Sequence, residues 1–382
     1  MRVLILGGDG YLGWPTAMHL TAKGHEVAVV DNYLRRRLCR EENVEPLFDV
    51  PNLHERARIW ESRSGCKVRV FIGDLRRWEI MAEVFQSFIP DAIVHYAEQP
   101  SAPYSMLNRR AAALTLSNNL EITANLIFAV REWCPEAHIV KLGTMGEYGT
   151  PDIDIEEGWI DIEHKGRRDR FLYPRQAGSL YHTTKIMDTD LLWFYVRMWD
   201  LRVTDLMQGP VYGLVTEENL SELRLFPFFN YDEIFGTVLN RFVVQAVAGY
   251  PLTVYGQGGQ TRGYLNIKDT LSCVRLALEN PAGKGELRIF NQFTETFSVN
   301  QLAEKVKEVG DQFNLGVNIN HLENPRIEKE DHYYNPAHSR LLDLGLQPHY
   351  LTDRTISEIL EKILQFKERI KKEQIFRKIS WN

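Results

Sequence analysis

Through the first half of the chain, short unbroken apolar runs alternate with stretches whose apolar residues recur at helical spacing. The first run, Val3–Leu6, reads as a strand covered on both faces, and a helical pattern follows it to Lys23. His25–Asp31 is the next strand. A long polar excursion comes after it, with a helix-like piece from Asn52 to Ser64. Lys67–Asp74 and Ala92–Tyr96 repeat the strand pattern, a helix passes through Asn118 and Asn119 to Trp133, and His138–Leu142 leads to Thr144. Strands alternating with helices predict an α/β fold: a Rossmann-type doubly wound parallel sheet that binds its ligands at the carboxyl ends of the strands. Gly10, Asp31, Asp74, Ala97 and Thr144 fall at or just past those ends, so they are expected to share one edge.

The alternation weakens beyond Gly213. Residues 1–208 therefore read as a dinucleotide-binding domain, to which later segments, roughly 236–285, are expected to return. Residues 209–382 read as a smaller mixed α/β region interleaved with it. The stretch from Pro151 to Tyr173 is acidic, then basic, and alternates around Gly158 as a hairpin would. Helical patterns also cover Asn300–Gly310 and Asp353–Lys372.

Composition narrows the class. A chain of 382 residues with 44% apolar and 25% charged residues is ordinary for a globular protein with a sizeable core. A net charge of −6 gives no reason to expect nucleic acid or an anionic membrane as partner. Cys39, Cys66, Cys134 and Cys273 are scattered, as free thiols in a reducing cytoplasm would be, and no metal site is suggested. No stretch approaches the ~20 apolar residues of a membrane span, and the first strand begins at once, so a cytoplasmic protein is expected.

Chemistry enters at the turns. Gly7, Gly10 and Gly13 open the first helix with a variant of the dinucleotide fingerprint, where backbone N–H groups can approach a pyrophosphate. Asp31 stands where an acid binds the ribose 2′-hydroxyl. It would repel the 2′-phosphate of NADP and so favours NAD, although Arg35, Arg36 and Arg37 argue a little the other way. Tyr181 and Lys185 lie four apart, on one face of a helix. A phenol of pKa ~10 serves as a base near neutrality only if nearby cations lower that value by about 3, worth about 4 kcal/mol. Arg241 and Arg262 are candidate diphosphate clamps, with Arg326 a third.

The glycine turn, Thr144 on its strand and the Tyr181/Lys185 pair resemble the extended short-chain dehydrogenase/reductases that act on nucleotide sugars. Gly8–Trp14, Lys141–Pro151, Val254–Tyr264, Ile289–Phe297 and Asp331–Asn335 are similar to one branch of that family, the UDP-sulfoquinovose synthases. The resemblance spans nearly the whole chain. It implies NAD as cofactor, UDP-glucose and sulfite (or a protein sulfite donor) as partners, and a homodimer or higher homo-oligomer. It implies C4 oxidation, loss of water across C5 and C6, sulfite addition and re-reduction at C4. Thr144, Tyr181 and Lys185 would serve the C4 step. Met145 and Gly146 replace the Asp-Glu pair of related dehydratases, so another group must move the C5 and C6 protons, with His182 and Glu147 the candidates. The cofactor set would be Gly7, Asp9, Gly10, Tyr11, Gly13, Asp31, Asn32, Arg35, Asp74, Leu75, Tyr181, Lys185, Gln208 and Val211. The sugar-nucleotide set would be Gln99, Ser101, Asn118, Thr144, Met145, Gln208, Asn240, Arg241, Thr253, Tyr255, Gln260, Arg262 and Arg326. Pro100 stands where plant members carry an arginine. The alternatives are a nucleotide-sugar 4-epimerase or 4,6-dehydratase on the same scaffold, or a catalytically silent NAD-sensing module.

Overall fold

Seven strands form one all-parallel sheet: β1 (Arg2–Leu6), β2 (Glu26–Asp31), β3 (Val68–Ile72), β4 (Ala92–His95), β5 (His138–Thr144), β6 (Arg202–Gln208) and β7 (Glu286–Gln292). Their order is β7-β6-β5-β4-β1-β2-β3, so the winding reverses between β1 and β4 and opens a crevice at the carboxyl edge. The computed structural model describes residues 1–324 and 332–376.

Both faces of the sheet are covered, which is why its strands read as unbroken apolar runs. Leu4, Leu6, Ile93 and Ile139 pack on Ile122 and Leu126 of helix α2 (Arg109–Trp133) and on Leu192 and Val196 of helix α3 (Leu180–Trp199). On the other face Val3, Ile5, Val94 and Val140 meet Ala17 and Met18 of helix α1 (Gly13–Ala22) and Val274 and Ala277 of the helix Ile267–Glu279.

A second core gathers helix α4 (Val238–Ala248), the helices Val299–Gln312 and Asp353–Leu364, and the parallel pair Leu252–Tyr255 and Ile319–Leu322. This corrects the expected return of residues 236–285. Helix α4 buries Phe242, Val243 and Val247 against Val306 and Leu360 of the second core. Ile267–Glu279, β7 and, further on, Leu341 and Leu346 pack with the sheet. An apolar helix shows its period in sequence but not which of two cores receives it. The expected hairpin is also displaced. Strands Trp159–His164 and Arg167–Leu172 pair through a turn at Lys165 (φ 50°) and Gly166 (φ 73°), not at Gly158.

Candidate active site

A cavity of about 1050 Å³ lies between the carboxyl edge of the sheet and the second core. Its wall includes Gly7, Gly10, Tyr11 and Gly13 of the first turn, Asp31, Asn32 and Arg35 beyond β2, and Leu75 beyond β3. Ser101, Asn118, Thr144, Met145, Tyr181, His182, Lys185, Gln208 and Val211 continue it, and Asn240, Arg241, Thr253, Tyr255, Gln260 and Arg262 close the far side. Four expected residues are absent from that wall. Asp9 and Gln99 are buried in hydrogen-bonded networks, Asp74 turns onto Arg76 at 2.6 Å, and Glu147 is fully buried under the end of β5. Arg326 lies outside the described residues.

The glycine turn is built for close approach: a Cβ on Gly13 would sit 2.0 Å from the carbonyl oxygen of Gly7. Behind it Asp9 accepts two bonds from Arg36, at 2.6 and 2.7 Å, and stands 3.5 Å from buried Arg56. Arg36 also donates to the carbonyls of Val50 and Pro51, both at 2.7 Å. It is fully engaged, and therefore no ready clamp for a 2′-phosphate. Arg37 lies 3.9 Å from Glu41, and Arg35 stacks 4.2 Å from the Phe235 ring centre. Asp31 accepts from the Asp9 and Tyr33 N–H groups, while burial and the Asp9 charge push its carboxyl up to about 6.

On the sugar-facing side, Asn240 bonds the Gly213 N–H at 3.1 Å and the Tyr11 hydroxyl at 3.2 Å, fastening the second core to the glycine turn. Arg241 is held by Glu233 at 3.0 Å and by Thr253 at 3.3 Å. Arg262 donates to the Thr261 carbonyl and contacts His332 at 2.8 Å. Gln208, opposite Thr144 in the register of β5 and β6, bonds Gln292 at 3.1 Å.

The catalytic wall begins at Thr144, which caps a 3-10 turn. Its Oγ1 accepts from the Gly146 N–H at 3.2 Å, and its own N–H donates to Glu147 Oε1 at 3.1 Å. Glu147 is thus a capping residue, tied to Lys141 at 3.5 Å and facing Arg175 at 3.3 Å. Burial pushes its carboxyl up. Helix α3 starts at Ser179, whose Oγ accepts the His182 N–H and lies 3.0 Å from His182 Nδ1. The other ring nitrogen packs on Gly146, where a Cβ would come within 2.4 Å of Nε2. His182 therefore occupies the space that a side chain at position 146 would fill.

The electrostatics around Tyr181 differ from the sequence expectation. Lys185 Nζ donates to Glu98 Oε1. Burial works against the Lys185 ammonium, but Glu98 and Asp188 outweigh it and hold its pKa above the ordinary value. The Tyr181 phenol is pushed well above its usual range, first by burial and then by Glu98 and Glu147. In the protein by itself the phenol therefore lies above its ordinary value, not below it. Glu98 has no role in the sequence analysis above. An acid placed just past a strand end was the available signal.

The fold and cavity define a class. The chain belongs to the NAD dependent epimerase/dehydratase family, whose model matches residues 3–291. It is 49% identical over 380 residues to the chloroplastic UDP-sulfoquinovose synthase of Spinacia oleracea, a match covering 100% of this chain and 79% of that protein. To the UDP-sulfoquinovose synthase of Sulfolobus acidocaldarius it is 44% identical, covering 100% of this chain and 98% of the other. In structure it is similar to UDP-glucuronic acid 4-epimerase from Bacillus cereus, crystallised with UDP-glucuronic acid and NAD. That likeness has a TM-score of 0.71 at 18% identity, over 96% of this chain and 99% of that one, and concerns the fold alone.

Proposed function

We infer that this chain is an enzyme that makes UDP-sulfoquinovose from UDP-glucose and sulfite, with NAD recycled in each turnover. One observation carries the reading over an epimerase or a 4,6-dehydratase: full-length identity of 49% to the spinach synthase. The glycine turn fits the cofactor, since the close packing of Gly13 on Gly7 leaves backbone rather than side chain facing the cavity. When bound, NAD supplies the acceptor and later the donor of the C4 hydride.

The chain's own groups do the rest. Tyr181 takes the proton of the C4 hydroxyl and returns it at the end, and Thr144 Oγ1 hydrogen-bonds the same oxygen. The 4-ketone acidifies the C5–H bond. His182, anchored through Nδ1 to Ser179, takes the C5 proton and delivers one to the departing C6 hydroxyl, which leaves as water. Sulfite sulfur then adds to C6, C5 regains a proton and the C4 ketone is reduced. Gly146 supports this assignment to His182, because a dehydratase carboxylate at that position would meet the imidazole. Glu147, buried in its cap, is withdrawn from proton transfer and assigned to holding Thr144. Arg241 and Arg262 are proposed to grip the diphosphate. Pro100 lines the cavity and brings no cation to sulfite.

The test is mass spectrometry after mixing the protein with NAD, UDP-glucose and sulfite. A UDP-linked 6-sulfo-6-deoxyglucose that disappears in Tyr181→Phe is expected, and UDP-galactose or a stable 4-keto-6-deoxy sugar instead would return the chain to the alternatives.

The assembly we propose is a homodimer through α2 and α3. Phe128 is 45% exposed, Phe194 48% and Met198 60%, more apolar surface than two helices ordinarily leave to water. Among the described residues no helix is long and apolar enough to cross a membrane. Sedimentation at the mass of a single chain, at micromolar concentration, would remove the dimer.

A further inference from the structure

Beneath Tyr181 lies a buried ionic group larger than the phenol and its lysine. Lys185 of α3 meets Glu98 from the loop after β4, with both side chains only 3% exposed. Glu98 Oε2 is buried with no hydrogen-bond partner among the described residues, so Lys185 is the main offset to its charge. His95 Nε2 comes within 3.7 Å of Glu98. Burial pushes His95 down to about 4, leaving it neutral, and it also contacts Thr123 at 3.1 Å. It cannot replace the ammonium.

We propose that Glu98 is a positioning residue for the Tyr181 base: its carboxylate anchors the Lys185 ammonium at the end of β4 and so limits how far that cation can favour the phenolate. The proposal rests on the reading of Tyr181 as the base, and extends it by naming the group that sets its acidity. A buried carboxylate paired with the lysine one turn along the helix disfavours a phenolate there. By holding the ammonium it also weakens the one adjacent cation on the same helix face.

The other charged groups around the phenol do not replace this effect. Glu147 and Lys141 act from the end of β5 and the turn after it, paired with each other at 3.5 Å. Burial and the Glu98 charge push the carboxyl of Asp188, one turn along α3 from Lys185, well above the usual carboxylate range. Arg35, beyond β2, is stacked on Phe235, and His182 is bonded to Ser179. Glu98 is the charged group in direct contact with Lys185. A cationic ring bound in the cavity would offset its charge, so the phenol gains acidity only in the loaded site.

The test uses the holoenzyme as purified and reads the phenolate band in the near ultraviolet as pH is raised. The Tyr181→Phe spectrum is subtracted in each background. In Glu98→Gln the Tyr181 midpoint is expected to fall by at least about one pH unit, a tenfold gain in phenolate at a given pH. Glu98→Asp keeps the charge but withdraws it by one methylene, and is expected to give a smaller fall of the same sign. It also serves should Glu98→Gln fail to fold. The acid limb of C4 oxidation against pH should move down with the titration. Midpoints equal to or above that of the wild type, in proteins of unchanged melting temperature and NAD content, would overturn the proposal. The titration needs no sugar, so a failed synthase reaction and a failed role for Glu98 are separate results.

Discussion

Two buried ionic clusters stand behind the cavity, and they are balanced differently. Behind the glycine turn, Asp9 and Asp31 face Arg36 and Arg56, two acids against two guanidiniums. Behind Tyr181, Glu98, Asp188, Glu147 and Asp205 face Lys185, Lys141 and Arg175, four acids against three bases. The first cluster is tied by paired hydrogen bonds, with only Arg56 Nε left over among the described residues. The second leaves one oxygen each of Glu98 and Asp205 without a hydrogen-bond partner among the described residues, and Glu147 Oε2 faces Arg175 at 3.3 Å without a hydrogen bond. A satisfied cluster fixes a shape, whereas an under-compensated one holds protons whose positions respond to a new charge. The excess of acid sits where the proposed proton transfers occur.

Removing one cation from each cluster sharpens the contrast. Lys141 is fully buried and donates to Asp205 at 3.1 Å, Thr189 at 2.6 Å and the Lys185 carbonyl at 3.0 Å. Lys141→Met leaves Asp205 without its cation and Glu147 with Arg175 alone, and is expected to cost about 3–5 kcal/mol in urea unfolding near neutral pH. Arg36→Gln breaks a pair whose arginine side chain is 23% exposed, so water screens part of the loss and about 2 kcal/mol is expected. Equal losses, or the reverse order, would mean that the two clusters do not differ in the way their charge count suggests.

What was legible in the sequence follows from how local each feature is. The glycine turn, the strand ends and the Tyr181/Lys185 face each lie within a few consecutive residues, and the expected parallel sheet is present. The pairing of Glu98 with Lys185 spans 87 positions, and that of Asp9 with Arg56 spans 47. No local pattern announces either. Glu147 differs, because the signal for its buried, capping position is local. Thr144 followed three residues later by Glu147 is the capping-box spacing, and it marked the carboxylate as structural. The destination of helix α4 was illegible because an apolar face fits either core.

The mildest test concerns Asp31, where the two charges of the glycine-turn cluster that repel each other meet. Its folded pKa of about 6 lies above the ordinary carboxylate value of ~3.9. Between those values the folded chain holds a proton that the unfolded chain has released, so stability falls as pH rises through the window and the penalty is complete above about pH 6. Asp31→Asn removes that dependence while losing one of the two bonds from the Asp9 and Tyr33 N–H groups. The lost bond costs the same at every pH, so the informative quantity is the difference between two pH values. Relative to wild type, cofactor-free Asp31→Asn should gain about 1–2 kcal/mol in unfolding free energy between about pH 4.5 and about pH 7.5. No gain, or a loss, would show that neither burial nor the Asp9 charge disfavours the Asp31 carboxylate in the folded turn.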